Sequence, residues 1–119
     1  MNRAPLGQGL YFIATGLWPL VHMKSFEAVS GPKVDRWLVK TFGSLIAVVG
    51  TSLIAGALER TPSRAVRLLG IGSAAALGLA ELVFVARGRI SRVYLADSLV
   101  ELGLVASWLM HSAGAGREP

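Results

Sequence analysis

The sequence predicts an all-α membrane protein, a four-transmembrane-helix antiparallel bundle, and three observations carry that prediction. Four apolar segments divide the 119-residue chain, each close to the roughly 20 residues that cross a bilayer. Hydrophobic residues make up 53% of the chain and charged residues only 16%, against roughly 25% charged in ordinary soluble domains. The breaks between segments hold turn residues and short basic clusters, the usual flanks of membrane helices. A single domain spanning residues 1–119 is expected.

The first segment runs from Leu6 to Met23, after a polar start bearing Arg3. A cleaved signal peptide would need a small-x-small site after the apolar run, and Trp18, Pro19 and His22 stand there instead, so a retained helix is expected. Residues 24–37 form the longest connection, with mixed charge and a turn at Ser30-Gly31-Pro32. Within it Ser25 to Val29 suits a short interfacial helical turn with Phe26 and Val29 toward lipid. The second segment covers Leu38 to Leu58. Thr61-Pro62-Ser63-Arg64 then starts a new element, with Pro62 in the first turn and Thr61 as its cap. The third segment covers Leu68 to Ala86 and ends at Arg87-Gly88-Arg89, with glycine in capping position. The fourth covers Val93 to Met110, and residues 111–119 are expected to be a flexible tail. Short second and third connections make consecutive helices antiparallel neighbours.

Composition narrows the function classes. Without cysteine the chain has no disulfide, thiolate metal site or thiol nucleophile. Its net charge of +5 comes from basic residues clustered between apolar segments, so nucleic acid is not an expected partner; the lipid bilayer is. With four spans, one side carries Arg3, Arg60, Arg64, Arg67 and Arg117. The other carries Lys24, Lys33, Arg36, Lys40, Arg87, Arg89 and Arg92. That bias weakly favours the first and third connections on the cytoplasmic side of a cell (inner) membrane.

The informative residues are three carboxylates inside apolar segments, Glu81, Asp97 and Glu101. A charge near mid-bilayer costs about 2.5–3.5 kcal/mol on insertion scales, so such groups face protein or a cavity. At 1.5 Å per residue, Glu81 lies roughly 9 Å below Arg87, and Asp97 and Glu101 roughly 7 and 13 Å below Arg92. His22 and Trp18 of the first segment fall in the same half. Tyr94, Asp97, Glu101 and Trp108 share one stripe of the fourth segment, and Tyr11, Thr15, Trp18 and His22 one stripe of the first. Small residues line the facing surfaces: Gly70, Ala74 and Gly78 on the third, Gly43, Ala47 and Gly50 on the second.

The candidate ligand-binding or proton-handling residues are therefore Glu81, Asp97, Glu101, His22, Trp18 and Tyr94. Like-charged carboxylates in low dielectric cannot all ionise together. Beside a histidine they suit acid–base chemistry, proton relay or binding a cationic amine, and the aromatic rings add walls for a cation. A structural alternative stays open, with Asp97 paired to Arg92 or Arg89, Glu81 to Arg87, and the aromatics as interface anchors. Of the two histidines only His22 lies close enough, which leaves too few ligands for a metal site, so no metal is assigned and the cofactor is unknown.

The run Trp18-Pro19-Leu20-Val21-His22, with Ser25-Phe26-Glu27 and Gly31-Pro32-Lys33, looks like a family signature. The layout resembles the sterol-isomerase and sigma-2-like group, and DoxX-like proteins, through Glu81, Asp97, Glu101 and His22. In the former group a four-helix core carries buried carboxylates, with histidine in some members, facing a cavity for an amine or sterol. That resemblance is architectural. Small multidrug transporters share the size but depend on a glutamate in their first helix, which this chain lacks. The expectation is an intramembrane site binding a small lipophilic or cationic ligand, with acid–base catalysis as an added option. The alternatives are a proton-coupled transporter acting as a homodimer, and a structural or accessory membrane subunit.

Overall fold

The computed structural model describes residues 2–115. Five α-helices and no strand make up these residues: α1 (Arg3–Val21), α2 (Met23–Ser30), α3 (Arg36–Ala57), α4 (Arg64–Ala86) and α5 (Tyr94–Ala115). Two of them, α3 and α4, are long and apolar enough to cross a membrane.

The helix ends differ from the sequence expectation for identifiable reasons. α1 starts at Arg3 because Pro5 fits a first helical turn, where its missing N–H has no partner to lose. α4 starts at Arg64 because Ser63, in extended conformation, caps it by accepting the Val66 N–H at 3.1 Å. Pro62 and Thr61 lie before that cap, not inside the helix. The first connection is largely α2. α5, the fourth predicted segment, continues to Ala115, past the expected end at Met110. Of the tail expected to be flexible, residues 116–119 lie outside the described residues.

α1 and α3 pack as an antiparallel pair at backbone contact. A Cβ on Gly9 would meet the Gly50 carbonyl at 2.6 Å, and one on Gly50 the Gly9 carbonyl at 2.7 Å. One turn pair further, Gly16 and Gly43 stand in the same reciprocal relation. Asn2 extends the register, its backbone N–H donating to the Ala57 carbonyl at 3.1 Å. These pairings step seven residues along each helix in opposite directions, the repeat of a left-handed supercoil. Only glycine admits so close an approach.

α4 and α5 form a second antiparallel pair, with Gly78 against Glu101 and Leu102, and Gly70 under the Trp108 ring. The Ser98 hydroxyl donates to the Gly78 carbonyl at 2.9 Å across the same seam. The two pairs meet firmly at one end, where Gly56 packs on Val66. There Gln8, fully buried, donates to the Gly70 carbonyl at 2.9 Å and accepts from the Trp108 indole at 2.6 Å. Toward the other end a cavity opens between the pairs, and the first and third connections meet beyond it, Gly31 lying near Ser91.

Candidate functional site

The cavity has a volume of about 930 Å³ and lies at the end of the bundle that carries α2 and the first and third connections. Its walls are apolar. Pro19 and Trp18 of α1, Phe26 of α2, Phe42 and Ile46 of α3, and Leu77 and Phe84 of α4 supply most of them. Its polar side is built by Tyr11, Glu81, Asp97 and Glu101, from α1, α4 and α5.

Each polar residue is placed by helix packing. Asp97 and Glu101 are one turn apart on α5, so they share a face. Gly78 has no side chain, which lets α5 come close enough for the Glu101 Cβ to sit 3.2 Å from an added methyl group. Glu81 lies three residues further along α4 on the same strip as Gly70, Ala74 and Gly78, all four buried. Tyr11 crosses from α1, and its hydroxyl donates to Asp97 Oδ1. Glu81 faces the same cavity from α4, beside Asp97 and Glu101 of α5.

Glu101 is 1% exposed and Glu81 9%. One oxygen of each, Glu101 Oε2 and Glu81 Oε1, is buried with no hydrogen-bond partner. The structural alternative required arginine partners. Among the described residues the one ion pair is Arg36 with Glu27, at 3.0 Å in the first connection. Nor do any three His, Cys, Asp or Glu among the described residues converge as metal ligands do.

Of the residues singled out from sequence, Glu81, Asp97 and Glu101 are brought together, and Trp18 and Tyr94 line the cavity with them. Trp18 packs edge-to-face on Phe26, with centroids 5.5 Å apart, and its indole N–H is engaged by Ser25 at 2.8 Å. His22 does not join them. It is exposed at the break between α1 and α2, where its Nδ1 accepts the Ser25 backbone N–H at 3.2 Å. The chain turns there, at φ −149°, so the imidazole caps α2 instead of continuing the stripe of α1.

Three contributors escape sequence reading. Tyr11 lies too far from Trp18 by helical rise to be counted at the same depth, yet a long phenol reaches Asp97. Gln8 carries no charge, although it is the one glutamine of the chain. Lys33 looks like an ordinary flanking cation but lines the cavity, its Nζ 5.1 Å from the Tyr94 ring centroid and 5.7 Å from that of Phe26.

Compared with known protein families, curated proteins and solved structures, the chain matches none.

Proposed function

We propose that the chain is a small multi-pass membrane protein, with α1, α3, α4 and α5 as its four spans, whose cavity binds a small lipophilic cation. Large apolar side chains point outward on all four helices, including Leu10 and Leu17 on α1 and Leu99 and Leu109 on α5. Outward leucines on every long helix, around an interior built from glycine, alanine and polar groups, suit a lipid surround. α1 and α5 fall short of the apolarity of α3 and α4 because of the buried Gln8 and Glu101 and of Asp97, which lines the cavity and accepts from Tyr11.

The observation that carries the binding role is the pair of buried carboxylate oxygens on an apolar cavity that find no partner, arginine included, among the described residues. A protonated amine with an apolar body supplies donors to those oxygens and fills the walls. The phenol–carboxyl pair of Tyr11 and Asp97 also suits proton transfer to or from a bound ligand, which leaves acid–base catalysis as an extension of the same site. Transport by a homodimer is the second reading, and the polar groups gathered at one end of the bundle favour it less.

Binding of a long-chain alkylamine to the detergent-solubilised protein, followed by calorimetry, tests the proposal. Asp97→Asn is expected to weaken it by about tenfold or more, the loss of one charge-assisted contact. Equal affinity for the amine and the alkanol of the same length would overturn it.

A further inference from the structure

The cavity carries opposite charges at its two ends. Its deep end holds the Glu81, Asp97 and Glu101 carboxyls; its outer end holds the Lys33 ammonium. Tyr94, the ring nearest to that ammonium, precedes Asp97 by one turn and Glu101 by two on α5. At 1.5 Å per residue the two poles are therefore separated by roughly 5–10 Å along the helix. No ion pair joins them among the described residues.

Lys33 is held in place. Its ammonium donates to the Ser30 carbonyl at 3.1 Å and lies over the Phe26 and Tyr94 rings. Its backbone N–H donates to Glu27 at 2.8 Å, and Glu27 is in turn held by Arg36. An ammonium has three protons to donate, and one is accounted for by Ser30. The two rings fix the cation without neutralising it. The Glu27 carboxylate lies close enough to feel this charge but is already engaged by Arg36 and the Lys33 backbone N–H; the ammonium, with donors left over, is a receptor for an anionic group.

Resting on the binding role proposed above, we infer that the ligand is amphoteric: a molecule with an amine at one end, an acidic group at the other, and an apolar stretch between. The amine meets the deep carboxyls, the apolar stretch follows the walls, and the carboxylate or phosphate meets Lys33. A simple amine would leave the cation at the rim unanswered and would pass it on entry against repulsion. A simple acid would bring its charge toward three carboxyls. An ω-amino alkanoate satisfies both poles.

The test compares an alkylamine, an ω-amino alkanoate and an alkanoate of equal chain length on the wild type and on Lys33→Met. Methionine keeps an unbranched apolar stem at the rim and removes the charge. The wild type is expected to prefer the ω-amino alkanoate over the alkylamine by about tenfold, the worth of one charge-assisted contact. Lys33→Met is expected to erase that preference while still binding the alkylamine. Wild-type binding of the alkylamine with no gain from the added acid overturns the amphoteric assignment and leaves the binding role standing. So does tighter alkylamine binding by Lys33→Met without any wild-type preference, which makes the lysine a plug. Failure of the wild type to bind all three overturns both.

Discussion

A buried carboxylate needs a cation, a donor or a proton, and the three acids here differ in which they have. Asp97 has the Tyr11 hydroxyl. Glu101 has, among the described residues, an oxygen without a hydrogen-bond partner and no arginine within ion-pair distance. Glu101→Gln therefore exposes no buried cation, and we expect thermal unfolding in detergent to register a loss below about 1 kcal/mol, against the roughly 3–5 kcal/mol that breaking a buried ion pair would remove. The same variant is expected to weaken alkylamine binding. Gln8 is the opposite case. Gln8→Ala strips the Trp108 indole of its acceptor and leaves a void at the closed end of the bundle, so a loss of about 2–4 kcal/mol is expected in the same assay. The two residues also differ in legibility. Glu81, Asp97 and Glu101 stand out because a charge in an apolar run is improbable whatever surrounds it. Gln8 and Tyr11 matter only through partners more than sixty residues away, and that information is not local.

Among the elements, the glycines divide by position. Gly16 on α1 has the Gly43 carbonyl 2.5 Å from where a Cβ would stand, whereas Gly72 on α4 has nothing within 4 Å. Gly16→Ala must push two backbones apart and is expected to lower stability by about 1–3 kcal/mol. Gly72→Ala is expected to be neutral or to stabilise by up to about 1 kcal/mol through helix propensity. The glycine strips were readable as packing surfaces; that α1 takes α3 as its partner through Gly9 and Gly16 was not, because several strips of small residues were available. α2 was readable as a short helix around Ser25 to Val29, but its start at Met23 was not, and its cap explains why. His22 ends one helix and begins the next, so two elements share a single residue. The link from α2 to α3 carries its own pH dependence. The Lys33 backbone N–H, and then Arg36, hold the Glu27 carboxyl below its ordinary value of 4.5. A carboxylate so lowered contributes fully above that ordinary value and loses its contribution as pH falls through the folded one. Hydrogen exchange around Lys33 is expected to accelerate in that acid window relative to Glu27→Gln, which should show no such step.

For the whole molecule, the four-span proposal fixes which segments share a side. Asn2 donates to the Glu59 carbonyl at 2.8 Å, which puts the start of α1 beside the α3–α4 connection. Gly31 lies near Ser91, so the first and third connections meet at the opposite end. The chain has no cysteine to interfere with single-cysteine labelling. Cysteines at Asn2 and Glu59 are expected to react with an impermeant reagent from one face of a sealed vesicle, and cysteines at Val34 and Ser91 from the other. Labelling of all four from one face would contradict four crossings. Apolar length made the helices legible, while the opening between them was not, since no periodicity reports how far two hairpins splay.

The seven-residue glycine register between α1 and α3 has a mechanical corollary. Backbone locked against backbone at Gly9–Gly50 and Gly16–Gly43 leaves no slack inside that hairpin, and Ser98 with Gly78 ties the other. A change in the width of the cavity is then expected as a rotation of one stiff arm against the other about Gln8 and Trp108, one that also releases the Tyr11–Asp97 and Lys33–Tyr94 contacts between the arms. Like tongs, the molecule turns a small angle at the pivot into its largest displacement at the tips, where Lys33, Phe42 and Phe84 stand.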